Sequence, residues 1–180
     1  MSSCCGSVCL LVLLGVALAC GSPLHLPEDL IHLQESIADL LALKEPEIGS
    51  KPLFSSVIKS VDTSCQRKED ILLMNATLDV YMHIFSSILQ HGHRHHDGTV
   101  TSALLKNLPG SERSRVNSAL TKLQQKMGEL RRRLGQPNHN KQDMLSELNK
   151  IKVDDPIDQR KALAEFQQVY RTASLIGSHS

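Results

Sequence analysis

The chain has 180 residues with 20 basic and 19 acidic side chains, which give a formal net charge of +1. This balance provides no electrostatic basis for a nucleic-acid partner or for adsorption to an anionic membrane. Tryptophan is absent and aromatic residues make up only 3% of the chain. We therefore expect a core built from aliphatic side chains.

The first 21 residues are typical of an export signal. Residues 9–19 form an apolar run that is followed by small residues, and no charged side chain occurs within 1–21. The run is too short to be a membrane anchor. We expect secretion after cleavage behind Ala19 or Gly21, leaving one helical domain over 22–174. About 160 residues are enough for a single core.

Cysteine use indicates few disulfide bonds. Cys4, Cys5 and Cys9 are removed with the signal, whereas Cys65 stays in the mature chain. Cys20 stays only if cleavage follows residue 19. A bridge between Cys20 and Cys65 can then form; otherwise Cys65 is unpaired.

Apolar residues spaced by three and four predict a first helix that begins after Pro27. Residues 44–50 contain Pro46 and Gly49 and are expected to form a loop. A short second helix is expected over 52–61.

The stretch 69–90 is apolar nearly all the way round a helix, which favours either a central core helix or a membrane span. Glu69, Asp70, Asp79 and His83 interrupt it. No run reaches the roughly 18 to 20 apolar residues that a bilayer requires, so we expect no membrane insertion. Other helices, and a second subunit, are expected to cover its apolar faces.

The central stretch contains the glycosylation sequence Asn75-Ala76-Thr77. An acceptor asparagine is expected on an accessible surface, which conflicts with a fully buried helix. Asn75 is therefore the expected glycosylation site if the first turns of this helix are exposed. The alternative is that the sequence is not used.

A cluster of possible metal-binding side chains follows the central helix. Its members are His91, His93, His95, His96 and Asp97. The spacing matches no structural zinc pattern, and two glycines favour a flexible loop. We expect a solvent-exposed loop, no metal site and no cofactor.

The second half of the chain predicts further helices. Residues 101–108 are expected to form one or two helical turns, and 111–134 a long helix with an apolar seam. A short helix is expected over 141–151 and the last helix over 156–175. The seam residues are Val116, Leu120, Leu123, Met127, Leu130 and Leu134.

Three consecutive arginines, Arg131 to Arg133, lie in the last turn of the long helix. Basic side chains there complement the helix dipole, and a basic contact site is the alternative interpretation. No catalytic motif occurs in the chain, and its acidic residues are scattered among basic ones. The prediction is an all-α chain of six helices that is not an enzyme.

The last helix contains the sequence DQRKALAEFQQV at 158–169. Six of these residues resemble the signature of the interferon gamma family, whereas Asp158 stands where that family has an apolar residue. The matching residues are Gln159, Lys161, Ala162, Glu165, Phe166 and Val169. The order of helices also resembles that family across the whole mature chain.

The resemblance implies a six-helix cytokine fold, an intertwined homodimer and binding to class II cytokine receptor chains of the interferon gamma receptor type. It further implies JAK–STAT signalling, macrophage activation and antiviral defence. The expected tail, 175–180, contains no Lys or Arg. In this it looks like interferon-gamma-related forms of bony fishes, and not like members with a basic tail.

The residues alone favour packing roles for the signature. Ala162, Phe166 and Val169 are expected in the core, while the three polar residues either orient the helix or face a receptor. Two other protein classes stay open. One is another helical cytokine, such as the interleukin-ten group, and the other is a secreted helical carrier of lipid or metal.

Overall fold

The computed structural model describes residues 26–61, 68–90, 102–134 and 146–177, and within these ranges the chain is helical and has no strand. The all-α prediction is confirmed for this part of the chain. The helices are α1 (Glu28–Ala38), α2 (Pro46–Ser50), α3 (Ser55–Ser60), α4 (Lys68–Gln90), α5 (Gly110–Leu134) and α6 (Pro156–Gly177), with a 3-10 helix at Leu148–Lys150.

Helix α4 lies at the centre, packed against α3, α5, α6 and the 3-10 helix. Met74, Leu78 and Ile84 are fully buried, and across 69–89 the exposed side chains are Glu69 and His83. The expected core helix is therefore confirmed. One chain covers it, so its apolar circumference does not by itself require a second subunit.

The stretch Glu69–Leu89 is long and apolar enough, by length and composition, to cross a membrane, and no other described helix is. Buried core helices share this property. Half of the apolar window is buried among the helices of the same chain. This placement explains the composition without a bilayer.

Side-chain contacts fix the directions of the long helices. Asp79 on α4 contacts Arg131 on α5, and Ser86 contacts Gln124, so these two helices run antiparallel. The same reasoning makes α4 antiparallel to α6, because its residues 81 and 87 bond to residues 162 and 159. All six predicted seam residues of α5 are buried.

Two short elements differ from the expectation. Residues 44–50 include the single-turn helix α2, because Pro46 occupies its first turn, where a fixed φ favours a helix. Ile48 anchors this turn with only 2% of its surface exposed. The second expected helix is confined to α3, which begins at Ser55 and not at residue 52.

The short helix expected over 141–151 is present only as the 3-10 helix in its described part. Its amides bond to carbonyls three residues back, as in Lys150 N–H to the Glu147 carbonyl at 3.2 Å. Leu148 is buried. Residues 102–108 likewise form turns, with Leu105 N–H donating to the Ser102 carbonyl at 2.9 Å.

The last helix begins at Pro156 as predicted, and Asp155 caps it by accepting from two backbone N–H groups. It ends at Gly177, two residues beyond the predicted end at residue 175 and inside the expected tail 175–180. Ile176 is 1% exposed, so the first part of the expected tail is a packed helical turn. The aliphatic spacing of α6 continues to Ile176, which places this residue in the core.

Several predictions fall outside the described residues. These concern the signal peptide 1–21, the cysteines Cys20 and Cys65, and the histidines His91, His93, His95 and His96. Within the described ranges, no group of three or more His, Cys, Asp or Glu side chains could hold a metal ion.

Candidate functional site: the inner face of the last helix

The apolar signature residues of α6 lie in the core. Ala162, Phe166 and Val169 are fully buried. They repeat at intervals of four and three, which places them on one face of the helix. That face packs against α4, α5 and α1.

Phe166 is part of a cluster that contains all five aromatic residues of the chain. Its ring meets the rings of Tyr81 and Phe85 edge-on, with centroids 6.3 and 6.2 Å away, and stacks on Tyr170 at 5.8 Å. Phe54 stacks on Tyr81 at 4.8 Å. The core is mostly aliphatic, as expected, and its few rings are gathered where the start of α3, α4 and α6 meet.

Glu165 bonds to the chain just before α3. Its carboxylate accepts from Leu53 N–H at 2.6 Å and from Phe54 N–H at 2.9 Å. Burial raises the pKa of this carboxyl above its usual value, while the two N–H groups and Lys161 oppose the rise. The carboxylate satisfies two backbone donors just before α3 and so fixes the chain where it enters that helix.

Gln159 joins the beginning of α6 to the end of α4. Its amide donates to the Val153 carbonyl at 2.9 Å and to Ser87 Oγ at 3.2 Å. Ser87 Oγ in turn donates to Asp154 at 2.6 Å. Among the described residues, the buried Oε1 of Gln159 has no partner. Lys161 is half-buried, and its charge acts on Glu165.

Three further polar residues attach α6 and were not singled out from the sequence. Gln34 donates to the Leu163 carbonyl at 2.6 Å, and the Tyr81 hydroxyl donates to the Ala162 carbonyl at 2.8 Å. Burial, and secondarily Glu165, raises the pKa of Tyr81 well above its usual value. The third is Arg160, which bonds to the turn after α1. For Gln34 and Tyr81, the only indication in the sequence is that a residue with a polar group occupies a core position of α1 or α4.

Asn75 is 2% exposed, and Thr77 is fully buried. Thr77 Oγ1 donates to the Leu73 carbonyl at 2.9 Å, and the buried Asn75 Nδ2 has no partner among the described residues. A glycan at Asn75 does not fit this packing. The burial of both polar residues favours the alternative that the sequence Asn75-Ala76-Thr77 is not used.

The three arginines of α5 have different surroundings. Arg131 pairs with Asp79 at 2.6 Å, while Arg132 and Arg133 are exposed beside Glu129 in a shallow depression. Arg131 therefore has a structural role, because its charge is paired with that of Asp79. The other two lie near the C-terminal end of the helix, where they complement its dipole.

The geometry of this face supports attachment and not catalysis. Its polar side chains bond mainly to backbone groups of distant segments, and its apolar side chains fill the core. Exposed charged residues occur on the outer surfaces of the long helices, among them Glu35 on α1, Lys122 on α5 and Arg171 on α6. A rigid bundle with such an outer surface is suited to binding another protein.

No family model matches the chain, and no solved structure matches it. Among curated proteins, the chain is similar to interferon gamma 1 of Carassius auratus, with 29% identity over 164 residues. The alignment covers 86% of this chain and 76% of that protein. Together with the all-helical fold, this similarity supports an interferon-gamma-like cytokine and argues against an enzyme.

Proposed function

We propose that the chain is a secreted cytokine of the type II interferon kind. It binds class II cytokine receptor chains of the interferon gamma receptor type and triggers JAK–STAT signalling, with macrophage activation and antiviral defence as the outcome. The observation that carries this proposal is the similarity to a fish interferon gamma along most of the chain. The all-helical fold agrees with it.

The proposed receptor contacts lie on the folded body. The outer face of α1 exposes Glu28, Asp29, His32 and Glu35, and these side chains do not contribute to the core. The residues given after α6, 178–180, contain no Lys or Arg, so the proposed contacts do not rely on these residues for long-range attraction.

The proposed active form is a homodimer with interlocked subunits. In one chain, α6 completes the core by contacts with α1 and α4. If two chains exchange this helix, the same contacts form between subunits, so the exchange requires no new core. Light scattering on the mature protein should give twice the chain mass, and a monomer that persists at micromolar concentration would rule the dimer out.

The proposal is tested by STAT phosphorylation in fish cells that express interferon gamma receptor chains. The purified mature protein should cause phosphorylation in these cells and none in matched cells that lack the receptor chains. A response that depends on interleukin-ten-type receptor chains would favour that group of cytokines. Binding to liposomes or to zinc, without any STAT response, would favour a carrier.

A further inference from the structure

The methionines in the described part of the chain differ in their access to solvent. Met74 on α4 and Met127 on α5 are fully buried, whereas Met82 on α4 is half-buried. Peroxides oxidise the thioether of methionine when they reach its sulfur. A dissolved oxidant reaches Met82 in the folded bundle, while the two buried residues react only when helices separate.

The thioether of Met82 lies against α5 at Gly128. The position that a Cβ atom would take at Gly128 is 3.8 Å from Met82 Cε and 4.0 Å from Met82 Sδ. No side chain of Gly128 therefore separates the sulfur from the backbone of α5. Gly128 is itself only half-buried, which places this contact at the rim of the interface between α4 and α5 and not in its interior.

Two polar contacts flank Met82 along the same rim. One turn before it on α4, Asp79 contacts Arg131 at 2.6 Å, and one turn after it, Ser86 Oγ accepts from Gln124 Nε2 at 3.4 Å. None of these four side chains is buried. The bond of 3.4 Å is long, and solvent screens the ion pair. The apolar contact between the two is made by Met82, whose side chain packs against the core.

Oxidation changes the chemistry of this contact. A peroxide transfers one oxygen atom to a lone pair of the sulfur, so that an S–O bond forms and the O–O bond breaks, and hydrogen peroxide leaves as water. The sulfur loses two electrons and the peroxide gains them, so no other reactant is required. The product, methionine sulfoxide, is polar, and methionine sulfoxide reductases return it to methionine.

We propose that Met82 is a site of reversible oxidation by peroxides, and that its sulfoxide loosens the contact between α4 and α5. The polar sulfoxide either loses hydration against Gly128 or turns outward and gives up its packing against the core. Both responses act on the central helix, so they lower the stability of the whole bundle. This inference does not depend on the proposed cytokine function.

The site is tested with the purified mature protein and hydrogen peroxide. Peptide mass spectrometry follows the gain of one oxygen atom at each methionine over time. Met82 should be oxidised about tenfold or more faster than Met74 and Met127, because reaction at the buried residues requires opening of the bundle. Equal rates at the three residues would overturn the proposed site.

The loosening is tested against the control Met82→Leu, which keeps an apolar side chain of similar volume and cannot form a sulfoxide. Peroxide should lower the melting temperature of the parent by about 3 °C or more beyond any change in the control. Oxidation at any other methionine is common to both proteins and cannot produce this difference. Methionine sulfoxide reductases should restore the melting temperature of the treated parent. An equal fall in both proteins would overturn the loosening.

A second variant and a local measurement complete the test. Met82→Gln places a polar side chain of similar length at the contact, so it should melt below Met82→Leu without any oxidant. In the oxidised parent, hydrogen exchange should accelerate about threefold or more at the amides from Gly128 to Arg131, and the treated control should show no such change. Equal melting of the two variants, or unchanged exchange in α5 of the oxidised parent, would overturn the proposed effect on the interface.

Discussion

Helices α5 and α6 are attached to the same bundle in different ways. The attachment of α5 is an apolar seam, and its ion pairs are partly exposed, as in Arg131 with Asp79, whose side chains are 47% and 44% exposed. The attachment of α6 combines an apolar face with bonds from or to Gln34, Tyr81 and Glu165. An apolar seam tolerates small shifts, whereas buried hydrogen bonds fix the position of a helix along its axis.

The difference suggests that α6 determines how the other segments are arranged. Its polar side chains bond to segments that lie more than 100 residues away in sequence, such as residues 41 and 53. Helix α5 makes no comparable set of buried side-chain bonds among the described residues. Substitutions should therefore affect α6 through both apolar and polar contacts, and α5 mainly through its seam.

The largest expected effect is the loss of folding in Phe166→Asp. This change places an unpaired carboxylate in the aromatic cluster and should cost more than about 4 kcal/mol. The matched control is Gln168→Asp, which changes an exposed residue of the same helix. Circular dichroism and thermal melting compare the two variants. A Phe166→Asp protein that melts like its control would contradict the placement of this face.

Truncation should give the next largest effect. Removing 175–180 deletes the buried Ile176 and should destabilise the protein by about 2–4 kcal/mol, as for other losses of buried aliphatic groups. Removing only 178–180 should leave stability unchanged, because α6 ends at Gly177. Denaturant unfolding of both truncations provides the comparison. Equal stability of the two would show that the last turn contributes nothing.

Glu165→Ala should cost about 1–3 kcal/mol, because two backbone N–H groups before α3 lose their acceptor. The control on the other helix is Glu129→Ala, at an exposed position of α5, which should stay within about 0.5 kcal/mol of the parent. If both variants lose the same unfolding free energy, polar contacts stabilise α5 and α6 equally, which would contradict the difference proposed between the two helices.

The same variant makes a prediction about pH. The pKa of Glu165 is raised in the folded chain, so the folded state binds this proton more tightly than the unfolded state does. The difference in unfolding free energy between the parent and Glu165→Ala should therefore be greatest at low pH. This difference should fall as the pH rises from 4.5, the ordinary pKa, through the raised pKa of the folded chain. Unfolding curves at several pH values measure this slope, and a rise in place of the fall would contradict it.

The smallest expected effect is that of Arg131→Gln on α5. The ion pair with Asp79 is partly exposed, so its loss should cost about 0–1 kcal/mol. The free energy of unfolding, measured at low and high salt, should differ little from the parent in both conditions. A cost as large as that of Glu165→Ala would mean that α5 also depends on its polar contacts.

Apolar spacing was sufficient to predict α1, α4, α5 and α6, because a buried helical face leaves a period of three and four in the sequence. Apolar spacing was insufficient for α2, because Pro46 favours a helix when it lies in the first turn and breaks a helix when it lies in the middle. The partners of Arg160 and Glu165 were not predictable, since a local pattern contains no information about which distant backbone groups a side chain will reach. The gathering of the five aromatic rings has the same explanation.

The closed position of Asn75 implies an order of events during biosynthesis. In a chain that enters the secretory pathway, a glycan can be added to Asn75 only before α4 packs, because the folded side chain is 2% exposed. Modification and folding then compete for the same interval, and a modified α4 cannot join the bundle. Secreted molecules should therefore carry no glycan at Asn75, and glycosidase treatment should leave their mass unchanged. Molecules modified at this residue should be retained inside the cell and degraded.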